Sequence, residues 1–254
     1  MTSKGPEHSL DPEELARLGL FARQVAHDLN NYLSTILGYA SLMSSKMAED
    51  NPHRRYAKMI EQAGNEAGGS VSRLLVFGRI WTSPASRVPL ELSTVQQEIA
   101  HVLEGESGGQ QAEVASELID TSGRIAIDPH QMQIAFQALA ANAREAQSEA
   151  DPPRIHVRFS LTEHDALPVG SPASSATGKW LEVRIRDEGK GMDSETLSQA
   201  MRPGFTTHAG ARRQGLGLPT TLGFVHRHGG AIALDSAEGQ GTTVTLWLPV
   251  DKLA

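Results

Sequence analysis

The chain has 254 residues, 39% hydrophobic and 21% charged, with a formal net charge of −7 and no cysteine. That composition fills one large domain or two small ones and excludes a fibrous or wholly disordered chain, a disulfide framework and any thiolate chemistry. The acidic balance offers no general field for nucleic acid, and no stretch approaches the roughly 18 apolar residues of a spanning helix, so the sequence predicts a cytoplasmic protein with no membrane span and no nucleic-acid partner.

Residues 1–10 carry no apolar signal core and are expected to be disordered. A helix should begin at Asp11, because Asp11-Pro12-Glu13-Glu14-Leu15 supplies a capping acid, proline at the first helical position and a glutamate at the capping-box place, with Leu10 and Leu15 as a hydrophobic staple. From there Leu15, Leu18, Ala22, Val25, Leu29, Tyr32, Ile36, Tyr39 and Met43 step by three and four, a heptad seam on one helix ending near Met47. Asn51-Pro52 then caps and opens a second helix, whose buried stripe is expected at Tyr56, Met59, Ile60, Ala63, Ala67, Val71, Leu74 and Phe77. A hairpin of two such helices, 11–82, cannot cover both apolar stripes by itself. Pairing with a second copy into a homodimeric four-helix bundle is the economical solution; packing on the rest of its own chain is the alternative.

Thr82-Ser83-Pro84-Ala85-Ser86 reads as the start of a linker over 83–90, and a second domain, 91–254, follows. It should hold a helix with Val95, Ile99 and Val102, short strands, a helix opening at Asp128-Pro129, and β-branched or aromatic strand runs at 154–161, 180–186, 231–235 and 242–248. Helices interleaved with a mostly antiparallel sheet make this half an α/β sandwich, and the chain as a whole α+β. The stretch from Glu163 to Lys179, rich in proline, glycine and serine, is expected to be a surface loop.

Three glycine clusters punctuate the second domain: Asp187-Glu188-Gly189-Lys190-Gly191-Met192, Gly215-Leu216-Gly217-Leu218, and Gly239-Gln240-Gly241-Thr242. Each alone could be a turn. The second precedes a predicted helix through Thr221 to His226, and a helix N-terminus behind glycines suits an anion. Upstream lies Asn142-Ala143-Arg144-Glu145-Ala146, and between the clusters Arg202-Pro203-Gly204-Phe205-Thr206-Thr207-His208.

In that order these segments resemble the N, G1, F and G2 boxes of the sensor histidine kinase ATP-binding domain, in the superfamily shared with gyrase, the heat-shock chaperone ATPases and the mismatch-repair ATPases. The resemblance covers about Leu90 to Pro249. It implies ATP and Mg2+ as cofactors. Asp187 would accept the adenine amino hydrogen bond, Asn142 would be the protein ligand of the metal, and Gly215 and Gly217 would approach the phosphates from a lid. Gly189, Gly191, Phe205, Thr206, Thr207, Leu216, Leu218 and Thr242 complete the implied ATP site.

The hairpin carries a second resemblance. His27-Asp28-Leu29-Asn30-Asn31 is similar to the phosphoacceptor box of histidine kinases, especially those of the nitrogen-regulator type. With Leu15 at heptad position a, Val25 takes d and His27 takes f, so the imidazole faces solvent and Asn31 follows one turn on. Imidazole nitrogen is a nucleophile, the Asp28 carboxylate can accept its proton, and the Asn31 amide can orient a water. The implied function is a two-component histidine kinase that phosphorylates His27 from ATP and passes the phosphoryl group to an aspartate of a response regulator receiver domain, with dephosphorylation of that aspartate as a second activity.

The chain departs from the family pattern at Ala138, where a second Asn is usual, at Arg213 in place of a glycine, and at His208 in place of a lysine. Arg212, Arg213 or Lys190 could meet phosphate instead. These departures keep open a histidine phosphotransferase or scaffold with a vestigial ATP-binding domain. A gyrase-like ATP-hydrolysing clamp needs a glutamate base where Ala138 stands. No sensory domain is evident, so a separate sensory protein or further domain is expected to supply the signal.

Overall fold

The structure, a computed structural model, describes residues 11–105, 113–117, 123–147, 154–164, 178–207 and 214–250. Two compact units emerge: the described residues of Leu10–Thr82 with Pro203–Leu216, and those of Ser83–Arg202 with Gly217–Ala254. The expected N-terminal disorder, the Leu10 half of the staple, most of the Pro/Gly/Ser-rich stretch (165–177), and His208, Arg212 and Arg213 lie outside the described residues.

The hairpin consists of α1 (Pro12–Lys46) and α2 (Arg54–Thr82). Asp11 caps α1, its side chain accepting from the Glu13 N–H at 2.9 Å, and Pro12 opens it. Asn51 accepts from the His53 N–H at 2.9 Å, so the expected cap is present, although the α-helix proper starts only at Arg54 after a tight turn.

Most of the expected seam stands open in the single chain, as a stripe that the hairpin cannot cover by itself should. Leu15 and Ala22 are buried and Val25 is half-buried, but Leu18, Leu29, Tyr32, Ile36, Tyr39 and Met43 are exposed. The face of α1 that closes the hairpin is instead Leu15, Gly19, Ala22, Ala26 and Ala40, met by Ala57, Gly64, Val71 and Gly78 of α2. Small residues let the backbones approach closely. A Cβ on Gly78 would lie 2.7 Å from the Gly19 carbonyl oxygen, and one on Gly64 only 2.7 Å from a Leu37 methyl. In the expected second stripe Val71 and Phe77 are buried and Ala67 and Leu74 half-buried, whereas Tyr56, Met59, Ile60 and Ala63 are exposed. At about 100° per residue, the bulky stripe of α1 sits roughly a quarter turn from its hairpin face and is left exposed among the described residues.

In the second unit a five-stranded sheet runs in the order β2-β4-β5-β7-β6: β2 (Glu113–Glu117), β4 (Arg154–His164), β5 (Gly178–Asp187), β6 (Ala231–Ser236) and β7 (Thr242–Pro249). Only the β2–β4 pairing is parallel. A two-stranded ribbon pairs β1 (Val88–Glu91) with β3 (Arg124–Ile127), so the end of the stretch expected to be linker is strand. Helices α3 (Leu92–Gly105), α4 (Pro129–Ala146) and α6 (Gly217–Arg227) share one core with the sheet, in which Phe136, Phe159, Leu181, Val183, Phe224 and Leu246 are buried. Phe136 and Phe224 meet edge to face at a centroid separation of 6.4 Å, which locks α4 to α6. A six-residue helix, α5 (Ser194–Gln199), capped by Asp193, was not anticipated; one and a half turns give no readable period.

The N-terminus of α4 is built as its sequence dictates. The Asp128 carboxylate accepts from the His130 and Gln131 N–H groups at 3.0 and 3.1 Å, and Pro129 needs no partner. The Asp128 N–H donates to Nε2 of His228 at 3.0 Å, while Nδ1 of His228 lies 2.8 Å from the Phe224 carbonyl. Both bonds form only in the neutral Nδ1–H tautomer. Burial accordingly pushes the His228 pKa below its ordinary 6.5. The unfolded chain therefore takes up the extra proton first, so this contribution to stability is full above pH 6.5 and is lost as pH falls from there toward the folded value. The Tm difference between wild type and His228→Gln is expected to shrink below pH 6.5 and to be flat above it, as thermal melts across pH would show.

Candidate nucleotide and phosphoacceptor sites

Asp187 ends β5 and is 7% exposed. Its Oδ1 accepts from the Gly189 N–H at 2.8 Å and the Thr242 N–H at 3.1 Å, while Oδ2 accepts nothing among the described residues. Burial raises its pKa and outweighs the opposing pull of the two backbone donors and Arg186. The result is a buried carboxylate held rigidly by one oxygen, with the other available to a donor from a ligand.

The loop after Asp187 is pinned on two sides. The Lys190 N–H donates to the carbonyl of Ala146 at 2.9 Å, and the Lys190 carbonyl accepts from the Gly239 N–H at 2.6 Å. Gly191 has φ +66, and a Cβ there would lie 2.0 Å from the Ala237 carbonyl oxygen, so no other residue fits. Ser236 adds a knot that sequence reasoning missed. Its hydroxyl accepts from the Met192 N–H at 3.0 Å, donates to the Gly241 carbonyl at 2.9 Å and lies 3.0 Å from the Thr242 hydroxyl. Gly241 was in view as part of the third cluster; a single serine closing a strand carries no such signal.

Asn142 lies on α4 one turn before Ala146 and is half-buried. Gly217, the first residue of α6, sits so close that a Cβ there would be 3.2 Å from both amide atoms of Asn142, and Leu218 follows it in the first turn. The structure thus brings together Asn142, Asp187, Gly189, Gly191, Gly217, Leu218 and Thr242 around the ends of α4, β5, α6 and β7. In the other unit, the Gly204 N–H donates to the Gly215 carbonyl at 3.1 Å, and Gly215 packs against Phe205. Phe205 and Leu216 are half-buried, and Thr206 and Thr207 exposed.

On α1 the His27 side chain is 71% exposed, and its Nδ1 lies 3.3 Å from Oδ1 of Asp28. The Gln24 amide, one turn earlier, reaches the two Asp28 oxygens at 3.5 and 3.4 Å. A proton on Nδ1 thus faces a carboxylate, which leaves the Nε2 lone pair directed away from it. Asn31 is exposed one turn further on.

Comparison with known proteins matches two stretches of the chain. Residues 17–81 match the His Kinase A (phospho-acceptor) domain, and residues 127–252 match the Histidine kinase-, DNA gyrase B-, and HSP90-like ATPase family. The chain is 27% identical over 239 residues to the sensor histidine kinase ZraS of Escherichia coli (strain K12), covering 94% of this chain and 47% of that protein. It is also 27% identical to the sensor kinase CckA of Brucella abortus (strain 2308), covering 93% of this chain and 25% of the other. The chain thus spans about half the length, or less, of these curated relatives. Among solved structures, full-length ShkA in complex with AMPPNP shares the fold, with a TM-score of 0.67 at 18% identity, covering 96% of this chain and 47% of that one. No described helix is long and apolar enough to cross a membrane. With a phosphoacceptor domain followed along the sequence by an ATPase domain, the chain carries the two domains of a histidine kinase core.

Proposed function

We propose that this chain transfers the γ-phosphoryl group of ATP to His27 and from there to an aspartate of a response regulator. The domains proposed for this are the hairpin, 11–82, and a catalytic domain, 91–254, joined by the stretch 83–90, whose end from Val88 is strand β1. The observation that carries the reading is the pairing of an exposed imidazole, poised on Asp28, with a buried carboxylate, Asp187, that keeps one oxygen for a ligand. Nε2 of His27 attacks phosphorus, the bond from phosphorus to the bridging oxygen breaks, ADP leaves, and the Nδ1 proton is held by Asp28. Asp187 selects adenine through its amino group. The rigid loop at Gly189 and Gly191 and the start of β7 at Thr242 hold that carboxylate in place; Phe205, Thr206, Thr207, Gly215 and Leu216 supply the lid, and Gly217 and Leu218 the helix N-terminus that favours phosphate.

Asn142 fits Mg2+: it offers a single neutral oxygen beside that helix end, as suits an ion held otherwise by phosphates and water. Bound there, the metal would neutralise charge on the phosphates. A histidine phosphotransferase with a vestigial ATP site would bind no nucleotide. Equilibrium dialysis with MgATP separates the two, saturable binding supporting the kinase and none supporting the alternative. The nitrogen-regulator resemblance of the His27 box and a cytoplasmic location belong to the same proposal, as does a separate sensory protein or domain.

The uncovered stripe of Leu18, Leu29, Tyr32, Ile36, Tyr39 and Met43 supports a homodimer. Each such side chain is worth roughly 1.5 to 3 kcal/mol when fully buried, so a monomer would leave much of that unrealised. Light scattering at micromolar concentration is expected to give twice the 27.3 kDa chain mass; a particle of the single-chain mass contradicts the dimer.

Asn31 lies about 6 Å along the helix from His27, at four residues of 1.5 Å rise. An amide there can hold a water in line with a phospho-aspartate. Asn31→Ala should lose phosphatase activity on the phosphorylated regulator by a larger factor than autophosphorylation. Near-wild-type values of both would leave Asn31 only a surface role, and equal losses with a lowered Tm would mean a damaged helix.

A further inference from the structure

Residues 83–87, directly after α2, are not a free tether. The Ser83 carbonyl accepts from the Arg227 guanidinium at 2.8 Å, the Ser86 N–H donates to Oδ2 of Asp128 at 2.7 Å, and the Arg87 guanidinium donates to the Arg227 carbonyl. Beyond them the chain is committed to the β1–β3 ribbon, beginning with Val88 opposite Ile127. One of these bonds ends on Asp128 and two on half-buried Arg227, the residues that flank a buried post. His228, 2% exposed, joins the Asp128 N–H to the Phe224 carbonyl, with its ring 4.6 Å from that of Phe224.

The post is buried, and the segment resting on it is half-buried to exposed. His228 and Asp128 are buried, whereas Ser86 and Arg87 are exposed and hold on by one part-buried and one exposed hydrogen bond, which open locally at smaller cost than a packed core. The helix ends carrying the post belong to α4 and α6, whose opposite ends carry Asn142 and Gly217.

We propose that residues 83–87 form an autoinhibitory latch: closed on Asp128, Arg227 and the His228 post, they remove the slack that the catalytic domain needs to reach His27. With the latch closed, the chain enters the catalytic unit at Ser83 immediately after the last residue of α2. With it open, five residues become tether and span up to about 17 Å. Phosphoryl transfer requires the reacting atoms within about 3 to 3.5 Å and in line, so slack at this junction controls how often that geometry is reached. The inhibitory role rests on the kinase reading above; the existence of the latch does not.

The test uses the full chain and two variants that leave the post intact: Ser86→Pro, which deletes the N–H donor, and Arg87→Ala, which deletes the guanidinium. Amide hydrogen exchange over 83–91, binding of a fluorescent ATP analogue, and the initial rate of labelling at His27 are measured for each. The latch predicts exchange at least tenfold faster at the Ser86 amide in Arg87→Ala and, in both variants, nucleotide Kd within twofold of wild type and labelling at least threefold faster. Unchanged exchange overturns the latch itself. Faster exchange with unchanged or slower labelling overturns its inhibitory role, and a weakened Kd in parallel with the rate makes 83–87 merely structural. If wild type does not label while the variants do, the latch is supported in its strongest form. If none of them labels, both the inhibitory role and the kinase reading fail, while exchange still decides whether the segment is latched.

Discussion

His27→Ala is expected to abolish phosphate incorporation, a loss on the order of a thousandfold or more, while the Kd for ATP stays within about twofold of wild type. The two halves of that expectation come from different places in the chain. The imidazole lies on an exposed face of α1, 71% open to solvent, so removing it leaves no cavity and leaves Asp28 still bonded to the Gln24 amide. Asp187, Asn142 and Gly217 belong to the other compact unit, and none of their contacts runs through His27. Labelled protein resolved by size and digested to peptides reads the first half, and a fluorescent nucleotide the second. Undiminished labelling of the variant would move the phosphoacceptor to another residue; lost binding would mean that the fold had been damaged.

Asp187→Asn should do the reverse, weakening adenine nucleotide binding by roughly 10- to 100-fold, as follows from losing a charged hydrogen bond of about 1.5 to 3 kcal/mol. The change is nearly isosteric. The Asn carbonyl oxygen can still accept from the Gly189 and Thr242 N–H groups, but an NH2 then stands where Oδ2 stood and opposes the amino group it should receive. The raised pKa of Asp187 gives this site a pH dependence of definite sign. Protonation occupies the ligand-facing oxygen, so affinity falls on acidification, and it begins to fall at a higher pH than an ordinary carboxylate would set. Titrating binding against pH in wild type and in Asp187→Asn, where that inflection should vanish, checks the assignment. A variant that binds as well as wild type would show that the pocket lies elsewhere.

What could be read from the sequence was what rests on local chemistry. Asp11-Pro12 and Asp128-Pro129 announce helix starts because the capping carboxylate and the missing N–H act within one turn, and both caps form. The strand runs of β4, β5, β6 and β7 declare themselves by β-branched and aromatic content over enough residues to show a pattern. The seam of α1 was legible, but the face that closes on α2 was not, for a physical reason. Periodicity finds the most apolar stripe, but α1 has two faces, and the one that closes on α2 is built of Gly19, Ala22, Ala26 and Ala40, whose value is small size rather than hydrophobicity. The glycine clusters located the nucleotide site but not how it is tied together. Gly191 fits against Ala237, Lys190 bonds Ala146 and Gly239, and Ser236 bonds Met192 and Gly241; each is a contact between segments distant in sequence. The same holds for Ser83, Ser86 and Arg87, whose polar, proline-containing stretch reads as linker and whose partners lie 42 to 144 residues away.

The most direct measurement incubates the full chain with γ-labelled ATP and Mg2+ and tests the stability of the bound label. A phosphoryl group on imidazole nitrogen is expected: label that survives alkali, is lost in acid, maps to the peptide containing His27 and moves to a receiver aspartate when a cognate regulator is added. Absence of protein-bound label under saturating nucleotide, or label that survives acid as a phosphoester would, contradicts the assignment of His27 as the phosphoacceptor of this kinase.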